Sequence, residues 1–342
     1  MKRIISITLV LCMLLSCAVL FSSCSEKLSG EYPVTVSMAI IEKEPKNIVV
    51  LNDVFADVIS CIGYDIKMVG RSEECDQDFL YIVPTVGKAA SPDVAAIKNA
   101  GADLVIADNS IGVDVKGNLE AEGITVLPLN VPTDEAGLEK LYTDLGTALG
   151  GKKTGAEKGA KSYKSLIDML GTMNTATTGV ARSVAYLYMN EANELCTFVP
   201  GTLEYKFFNY NGNTNVLQNQ TEPVVNTNNL RLGTPSYIFY DSDAVLTYLA
   251  ADKNLNHLNA LVQKKTCQIP MKSFKRFGTS AENAVFQMLQ FIEKDSKGTP
   301  DQATTAATTG EAAAQAETTA ETAAAPAETA AGDVITYSAP TE

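Results

Sequence analysis

The chain carries one histidine, His257, and seven cysteines, four of them beyond residue 24: Cys61, Cys75, Cys196 and Cys267. A zinc or manganese cage needs several clustered ligands, and neither a Cys-x-x-Cys pair nor a second histidine is present. His257 sits in the stretch KNLNHLNAL and reads as a solvent-facing or capping residue. It is also the only histidine that a serine or cysteine nucleophile would have. No glycine-rich phosphate loop, carboxylate pair or nucleophile motif stands out, so neither an enzyme nor a resident cofactor or metal is expected. The residue types that remain offer flat apolar surfaces and charged forks rather than reactive groups. Phe55, Tyr188, Phe274 and Phe277 offer flat apolar walls. Arg71 and Arg276 offer planar forks for carboxylate or phosphate groups. Asn52, Asp53, Asn109 and Asn190 complete the candidate ligand-binding set.

The N-terminus contributes chemistry of another kind. Lys2 and Arg3 precede an uncharged apolar stretch over 4–21, then Ser22, Ser23 and Cys24. This layout is that of a secretory signal, and it resembles a bacterial lipoprotein signal in which the cysteine is lipidated and becomes the new N-terminus. Cys24 is the first choice and Cys17 the second. The stretch is also long enough for an uncleaved membrane span. Either way the chain lies outside the cytoplasm, on the outer face of the cell membrane. A formal charge of −13 over 342 residues argues against nucleic acid as a partner. The four later cysteines are scattered and read as free thiols, although an exported chain permits disulfides.

The elements that must position these side chains alternate. Residues 46–51 form a buried strand. Asn52-Asp53 is a natural N-cap, Val54, Val58, Ile59 and Ile62 share a helical face, and Gly63 ends it. Strands are expected over 66–69, 103–107 and 124–127, with an extended piece over 83–87. A helix is expected to open at Ser91-Pro92-Asp93 with proline in its first position, and another runs over 115–121. Leu138, Leu141, Leu145 and Leu149 mark an amphipathic helix over 134–149, which Gly150-Gly151 separates from a second over 153–170. Then follow strand 183–189, helix 203–209, strand 237–240, helix 243–250, strand 267–269 and helix 281–294. The alternation implies parallel α/β sheets.

The ordered pieces PKNIVVLNDVFADVISCIGYDIKMVGRSEECD, VPTVGKAASPDVAAIKNAGADLVIAD and EGITVLPLN resemble the periplasmic binding proteins for cobalamin and ferric siderophores. So do CTFVPGTLEYKFFNYNGNTNV, LRLGTPSYIFYDS and LNALVQKKTCQIPMKSFKRFGTSAENAV, and the likeness covers about residues 45–294. It implies an α/β fold of two lobes, each with a mainly parallel sheet flanked by helices. One long interlobe helix joins them, and the ligand cleft lies between. The expected divisions are a signal peptide (1–23), an anchor tether and lead-in (24–45), an N-terminal lobe (46–133), a connecting helical region (134–180), a C-terminal lobe (181–296) and a tail dominated by Ala, Thr and Glu (297–342). The tail is too poor in large apolar groups to offset its ordering entropy and is expected to be disordered. A helical connector implies small closure motions.

The resemblance also implies a function: an extracytoplasmic, monomeric substrate-binding lipoprotein of an ABC importer. It would capture an iron chelate (ferric siderophore or haem) or a corrinoid and deliver it to permease and ATPase subunits. Ligands of open α/β sheets sit beyond the carboxyl ends of the strands, which selects loops 52–55, 71–76 and 108–112 in the first lobe and 188–191, 240–243 and 271–277 in the second. The chain has no tryptophan, which weakens the cobalamin and haem readings. Importer-linked members of the family carry a glutamate on each lobe for docking. The matching positions here fall near Ala95 and Asn228, with Asp93 and Glu222 as neighbouring acids. A surface receptor or sensor of the same fold that does not dock is therefore the alternative.

Overall fold

The computed structural model describes residues 30–176 and 182–296. The expectations for the signal, Cys17, Cys24 and the tail lie outside the described residues.

The chain enters through an antiparallel hairpin, β1 (Val34–Val36) and β2 (Ala39–Ile41). Val34, Val36, Ala39 and Ile41 are buried in the core, and β2 lies against the last strand of the first sheet, over 125–129. Strand β3 (Ile48–Val50) is buried at every position and leads to α1 (Asp53–Ile62). The Asn52 side chain accepts hydrogen bonds from the Val54 and Phe55 N–H groups at 2.9 and 3.3 Å, and Gly63 ends the helix at φ 79°. Next come β4 (Met68–Arg71), the short pair β5 (Gly87–Lys88) and β6 (Ser91–Pro92), and α2 (Val94–Asn99). Pro92 lies in extended chain rather than in the helix. Asp93 is the cap, accepting from the Ala96 N–H at 3.0 Å, so the helix opens at Val94. The lobe closes with β7 (Leu104–Asp108), α3 (Val113–Ala121) and β8 (Thr125–Leu129). Its sheet runs β4-β3-β7-β8, all parallel, which explains why its strands read as unbroken apolar runs.

Two helices connect the lobes. Asp134 caps α4 (Glu135–Gly150) through the Gly137 N–H at 2.7 Å. A π-helical turn, Gly151–Gly155, leads into α5 (Ala156–Ala176), the long interlobe helix, roughly 30 Å at 1.5 Å per residue. The two helices press together at glycines. A Cβ on Gly146 would lie 2.3 Å from the Gly155 carbonyl oxygen, and one on Gly159 would lie 2.1 Å from that of Tyr142.

The second lobe contains β9 (Ser183–Met189), β10 (Leu195–Cys196), α6 (Leu203–Asn209), β11 (Thr214–Asn215), α7 (Thr227–Gly233) and β12 (Tyr237–Tyr240). It continues with α8 (Asp243–Ala251), α9 (Asn259–Val262), β13 (Thr266–Gln268), α10 (Met271–Lys275) and α11 (Thr279–Ser296). Strands β9, β12 and β13 are parallel, β11 runs parallel to β9, and β10 is an antiparallel edge on β9. The fold is thus two mainly parallel α/β lobes joined by a long helix. Cys61, Cys75, Cys196 and Cys267 are separate free thiols.

Candidate functional site

The carboxyl ends of the strands place the expected loops, and the physical chemistry of each loop decides what its side chains do. After β4, Arg71 turns its guanidinium inward on its own loop. Its Nε donates to the carbonyls of Leu80 and Val83 at 3.1 and 3.0 Å, and its Nη1 donates to that of Cys75 at 2.8 Å. The loop is thereby folded around the arginine. Tyr81 and Ile82 are left at its apex, 81% and 73% exposed. Val113 stands 86% exposed just beyond β7. Cys75 is buried beneath the loop, and burial pushes its thiol up to about 11, which leaves it inert.

The other first-lobe candidates divide by environment. Asn52 caps α1. Phe55 is fully buried in the core. Asn109 is exposed, and its N–H bonds the Leu129 carbonyl at 2.8 Å. Asp53, at the start of α1, is partly exposed. Gln77 Nε2 donates to the Asp53 carbonyl at 2.7 Å, which ties the loop after β4 to the start of α1.

In the second lobe, Asn190 closes a turn, accepting from the Glu194 N–H and donating to Glu194 Oε2, both at 2.8 Å. Tyr188 is half-buried with its ring 6.0 Å from Phe198. Asp241, at the end of β12, accepts the Met271 N–H at 2.6 Å and so fixes the start of α10. That short helix buries Phe274 edge-on against Tyr186 and Phe198, at 5.2 and 5.5 Å, and it ends at Arg276.

At Arg276 the two lobes meet. The residue is 4% exposed. Its Nε donates to Asp53 Oδ2 at 3.1 Å, its Nη2 donates to Asp76, and Lys272 donates to the same Asp76. Burial pushes the Asp76 carboxyl up, but the hydrogen bonds from Lys272 and Arg276 outweigh it and hold the group below its ordinary range. Phe277 follows at φ 59°, a left-handed conformation that is strained for a bulky residue. Its carbonyl accepts the Tyr142 O–H at 3.0 Å, and its ring packs 5.7 Å from Phe207.

Two residues further on, α11 begins against α1. Ser280 donates from its N–H to Asp57 Oδ2 at 2.9 Å and from its O–H to Asp57 Oδ1 at 2.5 Å. A carboxylate of the first lobe therefore caps a helix of the second. Asp57 is wholly buried, and burial pushes its carboxyl up to about 6 despite the Ser280 bonds. Gly278 allows the approach: a Cβ there would lie 2.7 Å from the Asp57 carbonyl oxygen.

The structure thus brings Asp53 and Arg276 together, adds Asp76 and Lys272, and places Phe55, Phe274 and Phe277 in the core beneath them. Asp57 and Ser280 escape a reading of the sequence because they are 223 residues apart. The trace they leave is local: an acid on the apolar face of α1 between Val54 and Val58, and the Gly-Thr-Ser run that opens α11. His257 is exposed beyond α8, at the opposite ends of the strands. Among the described residues no group of three or more His, Cys, Asp or Glu side chains could hold a metal ion. The arrangement pairs two carboxylates of the first lobe with two cations of the second.

No protein-family model matches the chain, and no curated protein matches it in sequence. Solved structures do match. The periplasmic heme-binding protein HutB of Vibrio cholerae aligns with a TM-score of 0.57 at 16% identity, over 72% of this chain and 99% of that one. A periplasmic heme-binding protein from Pseudomonas aeruginosa aligns with a TM-score of 0.54 at 17% identity, over 72% and 91%. The iron uptake ABC transporter substrate-binding protein PiuA from Streptococcus pneumoniae gives 0.54 at 16%, over 76% and 96%. The chain shares the fold of these two-lobed substrate-binding proteins.

Proposed function

We propose that the chain is the extracytoplasmic substrate-binding component of an ABC importer, held to the membrane by a lipid on Cys24. It takes an iron chelate, haem or a ferric siderophore, at the junction of its lobes. The observation that carries this reading is the convergence of strand-end segments from both lobes on one point, where Asp53 and Asp76 meet Lys272 and Arg276. Strand carboxyl ends are where open α/β sheets bind ligands. The exposed Tyr81, Ile82 and Val113 supply an apolar rim on the first lobe for a flat or bulky chelate.

Haem and iron appear in the names of the structures compared above, which favours an iron chelate over a corrinoid as cargo. His257 lies at the far ends of the strands, and Tyr81, an exposed phenol on the loop after β4, is the donor proposed for an iron porphyrin. Among the described residues no helix is long and apolar enough to cross a membrane.

A second reading, a receptor or sensor that does not dock to a permease, is favoured by Ala95 and Asn228. Both are exposed and neither is acidic. Asp93, the nearest acid to Ala95, is engaged as the cap of α2. Deleting the gene and measuring uptake of radiolabelled ferric siderophore and haem separates the two. Reduced uptake supports the importer, whereas unchanged uptake with binding intact supports the receptor.

A further inference from the structure

The point where the lobes meet is closed by charge rather than by packing alone. Two carboxylates from separate strand-end loops of the first lobe, Asp53 after β3 and Asp76 after β4, converge on two cations of the second. Those cations, Lys272 and Arg276, are four residues apart on one short helical segment. Simple stability does not call for this arrangement: burying the Arg276 guanidinium costs about as much as its pairs return, and the half-exposed Lys272–Asp76 pair contributes little. It resembles instead what a ligand with two acidic groups would offer to a guanidinium and an ammonium. Next to Asp76, the buried Gln77 Oε1 accepts no hydrogen bond among the described residues. The strained Phe277 directly follows Arg276, held by Tyr142 and by the close contact of Gly278 with Asp57. The conformation that buries Arg276 is therefore fastened by contacts between the lobes.

We infer that Asp53 and Asp76 are internal stand-ins for the acidic groups of the ligand, and that the site takes a chelate bearing two carboxylates or their equivalent. In the empty protein the two aspartates hold Lys272 and Arg276. The ligand takes over both cations as the seam between the lobes rearranges, and the aspartates turn to solvent. Affinity is then set by competition within the protein, because the fraction of molecules with free cations limits the apparent affinity. The inference rests on the proposal that ligand binds at the lobe junction, and it adds the class of ligand.

The test compares hemin, which carries two propionates, with hemin dimethyl ester, which carries none, by absorbance titration of the purified protein and its variants. In D53N/D76N, hemin should bind at least about fivefold more tightly than in the wild type, with the ester unchanged. In R276Q, hemin should fall to the affinity of the ester. If D53N/D76N binds hemin no more tightly than the wild type does, the inference is overturned. Should the double variant fail to fold, D76N alone serves, since that carboxylate is half exposed. Amide hydrogen exchange over 272–280 without ligand gives a second reading. Faster exchange in the aspartate variants supports the stand-in role, and unchanged exchange overturns it. If neither porphyrin binds any variant, the proposed haem cargo and the dianionic class fall together, while the exchange result still decides whether the aspartates fasten the seam.

Discussion

Arg276 Nε lies 3.1 Å from Asp53 Oδ2, joining the segment after the last strand of the second lobe to the first helix of the first. The contact is one of several that fasten residues 272–280 to the first lobe and to α4. Tyr142 bonds the Phe277 carbonyl, and Asp57 caps the helix that begins beside Ser280. The lobes are therefore coupled by hydrogen bonds as well as by the connecting helix.

The Arg276–Asp53 pair should show its coupling in a double-mutant cycle. R276M and D53N each remove the pair, and each alone leaves a charge facing an incomplete partner set. The double variant should recover about 1–2 kcal/mol relative to the sum of the single effects in urea unfolding. Additive effects would show that the pair is not coupled.

Glycine is required where backbones touch and dispensable where they do not. G278A should lower stability by about 1–3 kcal/mol, because the new methyl meets the Asp57 carbonyl oxygen at 2.7 Å. G159A should do likewise through the Tyr142 carbonyl, 2.1 Å away. At Gly171, in α5, nothing lies within 4 Å of a Cβ, so G171A should gain up to about 1 kcal/mol from helix propensity. Equal effects at all three positions in a urea melt would contradict the packing described.

Asp57 should impose a pH dependence of definite sign. Its folded-state pKa of about 6 lies above the ordinary 3.8, so between these values the folded protein binds more protons than the unfolded chain. Its contribution to stability is full below about pH 4 and declines as pH rises towards 6. D57N keeps an acceptor for the Ser280 N–H and removes the titration. The stability of the wild type minus that of D57N should therefore fall between pH 4 and 7, by something on the order of 3 kcal/mol. A difference that stays flat or rises would refute the assignment.

The loop that Arg71 organises should depend on that one side chain. R71M frees the carbonyls of Cys75, Leu80 and Val83, and hydrogen exchange over 72–83 should quicken. Hemin affinity should drop about tenfold as Tyr81 loses its position, and Y81F should reproduce the loss without the change in exchange. Normal hemin binding by both variants would remove the loop from the site.

Much of the scaffold was legible in the sequence because its signals are local. Strands β9 and β12 and helix α6 begin and end where their apolar runs and caps do, and Asn52 and Gly63 bound α1 as their residue types require. The hairpin of β1 and β2 was harder to see, since three-residue strands carry barely one period of alternation. The strand ends from which the loops depart were also predictable, but what each loop side chain bonds was not. Arg71 answers carbonyls of its own loop, and aromatic rings on α1 and α10 go to the core because the elements that carry them pack inward. The bond from Asp57 to Ser280 depends on how the lobes meet, which no local pattern encodes.

The central claim, capture of an iron chelate at the lobe junction, is tested most directly by calorimetric titration of the purified protein with hemin and with ferric siderophores, cobalamin serving as the comparison. The absence of tryptophan makes calorimetry preferable to intrinsic fluorescence. The account predicts saturable one-to-one binding of at least one iron chelate, weakened in R276Q. No binding of any chelate, or binding indifferent to Arg276, would contradict it.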